Sequence, residues 1–383
     1  MRQKPTVVIS GFSYFPPQTG KTDMYEYSRF VSKKFPTILI TGARSFEKKE
    51  EDISSRIKVM RAPVETEKES PSSILLFIVY SVYFLVKKRK DIKIYHFINP
   101  FSFSSLIFII IRLTNFIRLT NIKIIYDIRT GPLRIGWRLK INNYLIRASV
   151  ITAHESIILF RGLEDNIFRK RKNLNVIPLG FSLDKSIEHH SDVLKLKKDL
   201  KIKENEVVLI YVGSTYYRRR VDSMIKSFIK ASEKSKIIRL LILGKKEEYL
   251  KKYFSKERVN FLGEVPYTHV SKYLSISNGG LAWVPQTSYF MNQPPLKTLE
   301  YLGHGLPVLA TATCGNMELV EQGVNGLVAK DNVKDFSKGI LDFIRQLSKM
   351  KPMARKSVNK YKWENIVNNK LIPLYVEVLK NEN

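Results

Sequence analysis

Between Pro294 and Gly326 the chain reads P-P-L-K-T-L-E-Y-L-G-H-G-L-P-V-L-A-T-A-T-C-G-N-M-E-L-V-E-Q-G-V-N-G. A proline pair opens a helix that carries Glu300 in its first turns. A Gly–Pro break, a short apolar strand and a glycine turn at Gly315 follow, leading to a second acidic helix start at Glu318. A helix N-terminus facing a glycine turn attracts anions, because its unpaired N–H groups and its dipole both favour negative charge. A carboxylate one or two turns inward can accept hydrogen bonds from a pair of ribose hydroxyls. Phosphate plus diol reads as nucleotide, although Glu300 also fits a solvated helix glutamate.

A second constellation is the run G-S-T-Y-Y-R-R-R, from Gly213 to Arg218, Arg219 and Arg220, which turns from a strand into a helix. Fixed cations stabilise negative charge building on leaving phosphate oxygens, and arginine can grip a diphosphate through two hydrogen bonds. A solvated charge cluster is the plainer reading. Cations at a helix start are mildly disfavoured by the dipole, however, which argues that at least one is there for use. Gly20, followed by Lys21 in the first strand–helix loop, fits either an approach to the same diphosphate or an ordinary turn. Arg129 follows Asp127 in I-I-Y-D-I-R-T-G-P. His96 and His154 stand at strand ends, where a lone histidine is more often structural, and His304 between two glycines reads as packing.

These residues need elements to hold them. Thr6–Ser10, Thr37–Thr41, Ile57–Arg61, Lys93–Phe97, Lys123–Asp127 and Val150–Ala153 are short β-branched runs separated by helical stretches, of which Asp23–Lys34 is the first. After a lysine-rich connector near Ser182–Glu206 the rhythm restarts. Its strands are Val207–Val212, Leu240–Leu243, Val259–Leu262, Gly280–Val284 and Val308–Ala310, with a helix over Val221–Ala231. Alternation of this kind predicts an α/β fold of two tandem Rossmann-like, doubly wound domains facing a central cleft. The expected boundaries are 1–183 and 184–363, with 364–383 returning to the first domain.

The 383 residues exceed what one core supports, and 44% apolar content is that of a folded protein. One cysteine, Cys314, excludes a disulfide framework and a cysteine-based metal cluster and suggests a reducing cytoplasmic setting. The net charge of +30 is spread over both halves and attracts polyanions, nucleic acid or an anionic membrane face. Part of it also fits lysine-rich genomic usage. Ser73–Val86, followed by K-K-R-K, and Phe101–Ile111, followed by Arg112 and Arg118, favour the membrane. Both fall short of the roughly 20 residues of a spanning helix, so each fits a buried core helix or an interfacial one with a basic collar.

The blocks P-L-K-T-L-E-Y-L-G-H-G-L-P-V-L-A-T, G-N-M-E-L-V and G-V-N-G-L-V, the turn G-S-T-Y-Y-R-R-R-V-D and the closing K-W-E-N-I-V-N-N-K-L-I-P-L-Y resemble the GT-B glycosyltransferases of family 4. The likeness spans nearly the whole chain. It implies a retaining hexosyl transfer from a nucleotide-diphosphate sugar, UDP- or GDP-linked, in which the donor phosphate assists proton removal from the acceptor. No enzymic nucleophile, no metal and no cofactor are then needed.

Carried over by position, Arg219 takes the place of a phosphate-binding lysine, and Glu300 that of the second of two paired glutamates. Asn292 stands where the first would fall, and Arg129 where a histidine is common. The expected catalytic residues are Arg219, Arg129 and Glu300. The expected donor-binding set is Gly20, Gly213, Arg218, Arg219, Asn292, Pro295, Leu296, Lys297 and Glu300. The implied partners are a nucleotide-sugar donor, a glycan or lipid-linked acceptor and an anionic membrane surface on the inner face of the cell membrane, with no specific nucleic acid. Another GT-B chemistry, such as an epimerase or phosphorylase, and a non-catalytic polyanion-binding protein remain the alternatives.

Overall fold

The computed structural model describes residues 5–13, 23–44, 47–65, 70–98, 104–129, 137–160, 174–182, 190–293 and 296–380. They divide into two compact units, Met1–Leu179 with Trp363–Asn383, and Gly180–Lys362.

In the first unit the strands are β1 (Thr6–Ser10), β2 (Thr37–Gly42), β3 (Glu50–Ser54), β4 (Ile57–Ala62), β5 (Ile92–Ile98), β6 (Lys123–Ile128), β7 (Glu155–Ile158) and β8 (Leu174–Val176). They form one sheet in the order β3-β4-β2-β1-β5-β6-β7-β8. Every neighbouring pair is parallel except β3 with β4. Strands β1 and β6 are buried almost end to end, which is why they read as unbroken apolar runs rather than alternating ones.

The helices α1 (Asp23–Val31), α2 (Pro71–Lys87), α3 (Ser104–Phe116) and α4 (Trp137–Thr152) connect them. Helix α2 starts cleanly, because the Ser70 hydroxyl accepts the Ser73 N–H at 3.1 Å and Pro71 needs no partner for its nitrogen. One side of α2, with Ile74, Phe77, Phe84 and Leu85, is buried, whereas Leu75, Val79 and Tyr83 face outward. Among the described residues no helix is long and apolar enough to cross a membrane.

Val150–Ala153, expected as a strand, is instead the last turn of α4 and its exit. Val150 is fully buried, and Ser149 and Thr152 turn their hydroxyls back to the carbonyls of Leu145 and Ala148. Tertiary packing there outweighs the β-preference of branched residues; the strand is β7, five residues on.

The chain returns to this unit at its end through α11 (Trp363–Ile366), a π-turn at Val367–Leu371 and α12 (Ile372–Lys380). In our helix numbering these follow α5 to α10 of the second unit. Trp363 sets its ring edge-on to Tyr27 at 5.5 Å, and the Tyr375 hydroxyl lies 2.5 Å from His96 Nδ1.

The second unit is fully parallel. Its strands β9 (Val207–Val212), β10 (Ile238–Leu243), β11 (Val259–Gly263), β12 (Gly279–Ala282), β13 (Val308–Thr311) and β14 (Gly326–Ala329) lie in the order β11-β10-β9-β12-β13-β14. The helices are α5 (His190–Asp199), α6 (Val221–Lys234), α7 (Tyr267–Ser275), α8 (Leu296–Gly303), α9 (Cys314–Leu319) and α10 (Val333–Ser357). Helix α5 occupies part of what reads in sequence as a polar connector. Helix α6 buries Val221, Met224, Ile225, Phe228 and Ala231, the 3–4 spacing of one helix face, in the core that holds Trp283 and Phe336.

In each sheet the chain works outward in one direction, then returns to work outward in the other. The reversals fall between β1 and β5 and between β9 and β12. Crevices at the strand C-termini of such reversals are where open α/β sheets bind ligands.

The second reversal is held closed by Tyr301 of α8. Its hydroxyl accepts the Val212 N–H at 2.7 Å, and its ring covers Gly280, where an added Cβ would lie 2.1 Å from ring carbon Cδ2. Tyr301→Phe leaves the Val212 donor without its partner and is expected to cost about 1–3 kcal/mol. Urea denaturation should show this as a lower midpoint with unchanged slope; an unaltered midpoint would remove Tyr301 from this role.

Candidate active site

The C-terminal end of β9 leads through Gly213, Ser214 and Thr215 into a short 3-10 turn, Tyr217–Arg219, and then α6. Gly213 has φ +136°, a conformation that side-chain-bearing residues rarely adopt. An added Cβ there would point at the Lys297 ammonium, 3.6 Å away. Tyr211 and Tyr249 fix the loop by donating their hydroxyls to the carbonyls of Ser214 and Thr215, at 2.8 and 2.7 Å.

The three arginines of the run go different ways. Arg218 is exposed, within reach of the Tyr217 and Tyr289 rings. Arg220 takes the left-handed conformation, φ 49°, that starts α6, and pairs with Asp331 at 3.4 Å. Arg219 turns inward. Its Nη2 donates to Gln293 Oε1 at 3.0 Å, its guanidinium lies 4.3 Å from the centre of the Phe290 ring, and its carbonyl accepts the Trp283 indole N–H at 2.9 Å.

Lys297, in the first turn of α8, approaches from the other side of the reversal. Its ammonium donates to the carbonyl of Trp283, just past β12, at 3.3 Å and sits 4.0 Å from the centre of the Tyr211 ring. Burial, and after it the neighbouring Arg219 charge, hold Lys297 well below the ordinary lysine range, with Glu300 pulling the other way. Burial likewise lowers Arg219. Neither cation enters an ion pair among the described residues. Two like charges in partly buried surroundings, without a carboxylate clasping either, attract an anion.

Glu300 lies one turn further along α8, partly buried. Leu296 opens the helix and is exposed. Asn292 precedes it, and its Oδ1 is buried with no hydrogen-bond partner among the described residues. Gly213, Arg219, Lys297 and Glu300 therefore gather at one strand reversal, with Asn292 and Leu296 on the segment leading into α8. Pro295 and Gly20, the other two residues of the expected donor set, lie outside the described residues.

Three residues that build this place were not singled out from sequence: Tyr211 beneath the ammonium, Gln293 on the guanidinium, and Trp283, whose carbonyl and indole touch both. Strand β9 is buried without a break from Val208 to Tyr211, so no alternation in the sequence marks Tyr211.

Two expectations are corrected. Gly315 is not in a turn, and Glu318 does not start a helix. Gly315 is buried inside the short helix α9, capped by the Thr313 hydroxyl, and Glu318 is exposed near its end. Asn316 directs that geometry, donating to the carbonyls of Ala282 and Thr311 and accepting from Thr298 at 2.6 Å. His304 approaches the Glu300 carbonyl at 2.8 Å, and Arg355 donates to the carbonyls of Gly303 and His304, so both finish the end of α8.

The first unit carries a different cluster at its own strand ends. The Arg129 guanidinium donates to Asp127 Oδ2 at 2.6 Å and lies 3.2 Å from Asp23 Oδ2, with the Tyr27 ring 4.9 Å beneath it. His96 stands between Asp127, at 3.2 Å, and Tyr375. Burial pushes His96 down to about 3 and raises Asp127 well above the usual carboxylate range, with Asp23 adding to the latter. His96 is thus neutral at physiological pH, and the Arg129 charge is matched within the unit. His154 accepts the Ile124 N–H and is also lowered to about 3, chiefly by burial. No group of three His, Cys, Asp or Glu among the described residues is placed to hold a metal ion.

The second unit and the fold each have counterparts among known proteins. Residues 192–360 match the family profile described as Glycosyl transferases group 1. The second unit thus matches a glycosyltransferase profile, and the fold of the chain is that of the GT-B glycosyltransferases. It is 27% identical over 214 residues to N-acetyl-alpha-D-glucosaminyl L-malate synthase of Bacillus anthracis, covering 52% of this chain and 53% of that protein. The chain spans about half the length of the curated relatives it matches.

Among solved structures, sucrose-phosphate synthase from Thermosynechococcus elongatus superposes with a TM-score of 0.77 at 16% identity, covering 99% of this chain and 100% of that one. Anabaena HepE in complex with UDP-glucose gives 0.65 at 14%, covering 97% and 99%. At these identities the likeness is one of fold.

If Arg219 and Lys297 hold a diphosphate, an incoming anion will pull the Lys297 proton affinity back up. Binding of UDP or GDP should then be accompanied by proton uptake above the pKa of the empty site, and affinity should fall with rising pH by up to about tenfold per unit there. Below that pKa the lysine is already charged and the dependence should vanish. Calorimetry in buffers of different ionisation enthalpy measures the uptake, and Lys297→Met should abolish it; uptake undiminished in that variant would assign the proton elsewhere.

Proposed function

We propose that the protein is a retaining glycosyltransferase that moves a hexose-type sugar from a nucleotide-diphosphate sugar to a glycan or lipid-linked acceptor at an anionic membrane surface. The observation that carries this reading is the pair of unpaired cations, Arg219 and Lys297, beside Glu300 at the β9–β12 reversal. Cleavage of the donor leaves a nucleoside diphosphate whose charge grows toward the transition state. Cations fixed in advance stabilise that charge more than they stabilise the intact donor. Glu300, a turn away, suits a ribose diol, and the unsatisfied Asn292 Oδ1 suits a sugar hydroxyl.

The proton of the acceptor is taken in this reading by the donor's own phosphate, since His96 is neutral, buried and held by Asp127 and Tyr375. Arg129, its charge matched by Asp127 and Asp23, is not assigned the proton transfer either. No cofactor and no metal enter the scheme. HepE has been solved with UDP-glucose, which puts uridine diphosphate sugars first among the donors to try.

Thermal-shift screening with UDP-, GDP- and CMP-sugars should give one stabilising class, since ligands that bind only the folded state raise its melting temperature. Glu300→Ala is expected to weaken that donor by about 10- to 100-fold, from loss of about 1.5–3 kcal/mol of charge-assisted hydrogen bonding. Arg219→Ala should lower turnover more than it lowers donor affinity, the mark of an interaction strengthened in the transition state. Donor binding unchanged in Glu300→Ala would return the chain to the reading of a general polyanion binder.

A further inference from the structure

Helices α2, α3 and α4 contain no aspartate or glutamate at all. Each inner side packs into the first unit, but the outer side is not polar. On α2 the exposed residues Leu75, Val79 and Tyr83 follow one another at intervals of four and end on Lys87, whose ammonium donates to the Tyr83 hydroxyl at 3.2 Å. On α3, Leu106, Ile109, Leu113 and Phe116 follow at intervals of three and four. Phe116 is 85% exposed and Ile117, just beyond the helix, 67%. Exposed apolar residues at helical spacing on neighbouring helices form a surface that water does not favour.

Beside the ends of these two helices lies a depression of about 420 Å³, bordered by Arg89, Lys90, Asn115, Arg118, Thr120 and Asn121. No carboxylate lines it, and its three cations make no ion pair among the described residues. Its wall is built rather than loose. Asn115 Nδ2 donates to the Ile122 carbonyl at 2.8 Å and its Oδ1 accepts the Ile122 N–H at 3.0 Å. The Thr114 and Thr120 hydroxyls bond at 2.8 Å, and Arg118 adopts φ 56° to turn the chain between them.

We infer that the outer side of α2 and α3 docks on an anionic bilayer, with the Arg89–Lys90–Arg118 depression receiving a lipid phosphate headgroup. The inference rests on the membrane reading given above and locates it on the molecule. An apolar helix side with a basic collar buries its side chains at the headgroup boundary while its cations meet anionic lipid. The absence of any acid on all three helices lessens the repulsion that a mixed surface would meet, and Glu50, which borders Tyr83 and Lys87 from β3, is paired with Lys58. A protein partner would need a complementary acidic rim; a bilayer supplies negative charge and an apolar layer together.

Cosedimentation of the full chain with vesicles tests this. Binding to phosphatidylcholine vesicles containing about 30 mol% phosphatidylglycerol should be at least about tenfold tighter than to phosphatidylcholine alone, and should weaken steeply as salt rises above about 0.1 M. The double variant Lys90→Ala/Arg118→Ala should weaken it about thirtyfold, as two basic residues at an anionic surface require. Phe116→Ser, at a position too exposed to support the fold, should weaken binding to both vesicle types.

All variants should bind nucleotide diphosphate in solution as the natural chain does, so failure of docking and failure of the transferase reading are told apart. Equal binding to neutral and anionic vesicles, no binding to either, or a wild-type dimer in light scattering that Phe116→Ser converts to monomer would each overturn the inference; the last would assign the surface to a second copy of the chain.

Discussion

Arg219 and Lys297 repel one another, and the second unit is organised to keep them together anyway. One arrives from the end of β9 and the other from the start of α8, on the two sides of the strand reversal. Each is fixed by neutral groups: the Gln293 amide and the Phe290 ring for the guanidinium, the Trp283 carbonyl and the Tyr211 ring for the ammonium. Neutral partners orient a cation without discharging it. A carboxylate in either place would stabilise the empty protein and remove the reason for an anion to bind. Gly213 leaves the approach open, and Tyr301 with Gly280 keeps the two strands in register beneath. The repulsion between the two cations is what an anion placed between them would relieve.

The first unit treats a buried arginine in the opposite way. Arg129 has two carboxylates within 3.2 Å and an aromatic ring below, and His96 is held neutral beside it. A cation so compensated stabilises the interior and sets the local field, but has little charge left for a ligand. Similar sequence surroundings, a strand end followed by a basic residue, therefore serve two physical purposes. Only the neighbours, contributed by distant segments such as α1 and α12, distinguish them.

That difference explains what could be read from sequence. The two parallel sheets were legible because each strand is a short apolar run set off by glycine, proline or charge, and the order of runs dictates a doubly wound fold. Arg219, Lys297 and Glu300 were expected together through the resemblance of the blocks that carry them, and the structure sets all three at one strand reversal. The failures came where tertiary contacts overrule local preference. Val150–Ala153 looks like a strand until Val150 is needed in the core, and Gly315 looks like a turn until Asn316 and Thr298 hold it in a helix. Gln293 carried no local mark, since its role comes from a partner seventy-four positions away. Within the basic run, sequence could not say which arginine turns inward; the left-handed backbone at Arg220 and its Asp331 pairing settle the rotation.

The return of the terminal helices to the first unit has a consequence for how the molecule is made. Trp363 and Tyr375 pack on Tyr27 and His96, so the core around β1 and β5 is incomplete until residues 363–380 have been synthesised. The second unit draws its contacts from one contiguous stretch, and its whole sequence emerges before that final segment does. Although domains commonly fold in the order of their synthesis, here the second unit is free to fold to completion first, and the first must wait with an open seam. Nascent chains stalled before Trp363 should present one finished domain and one that still binds chaperones.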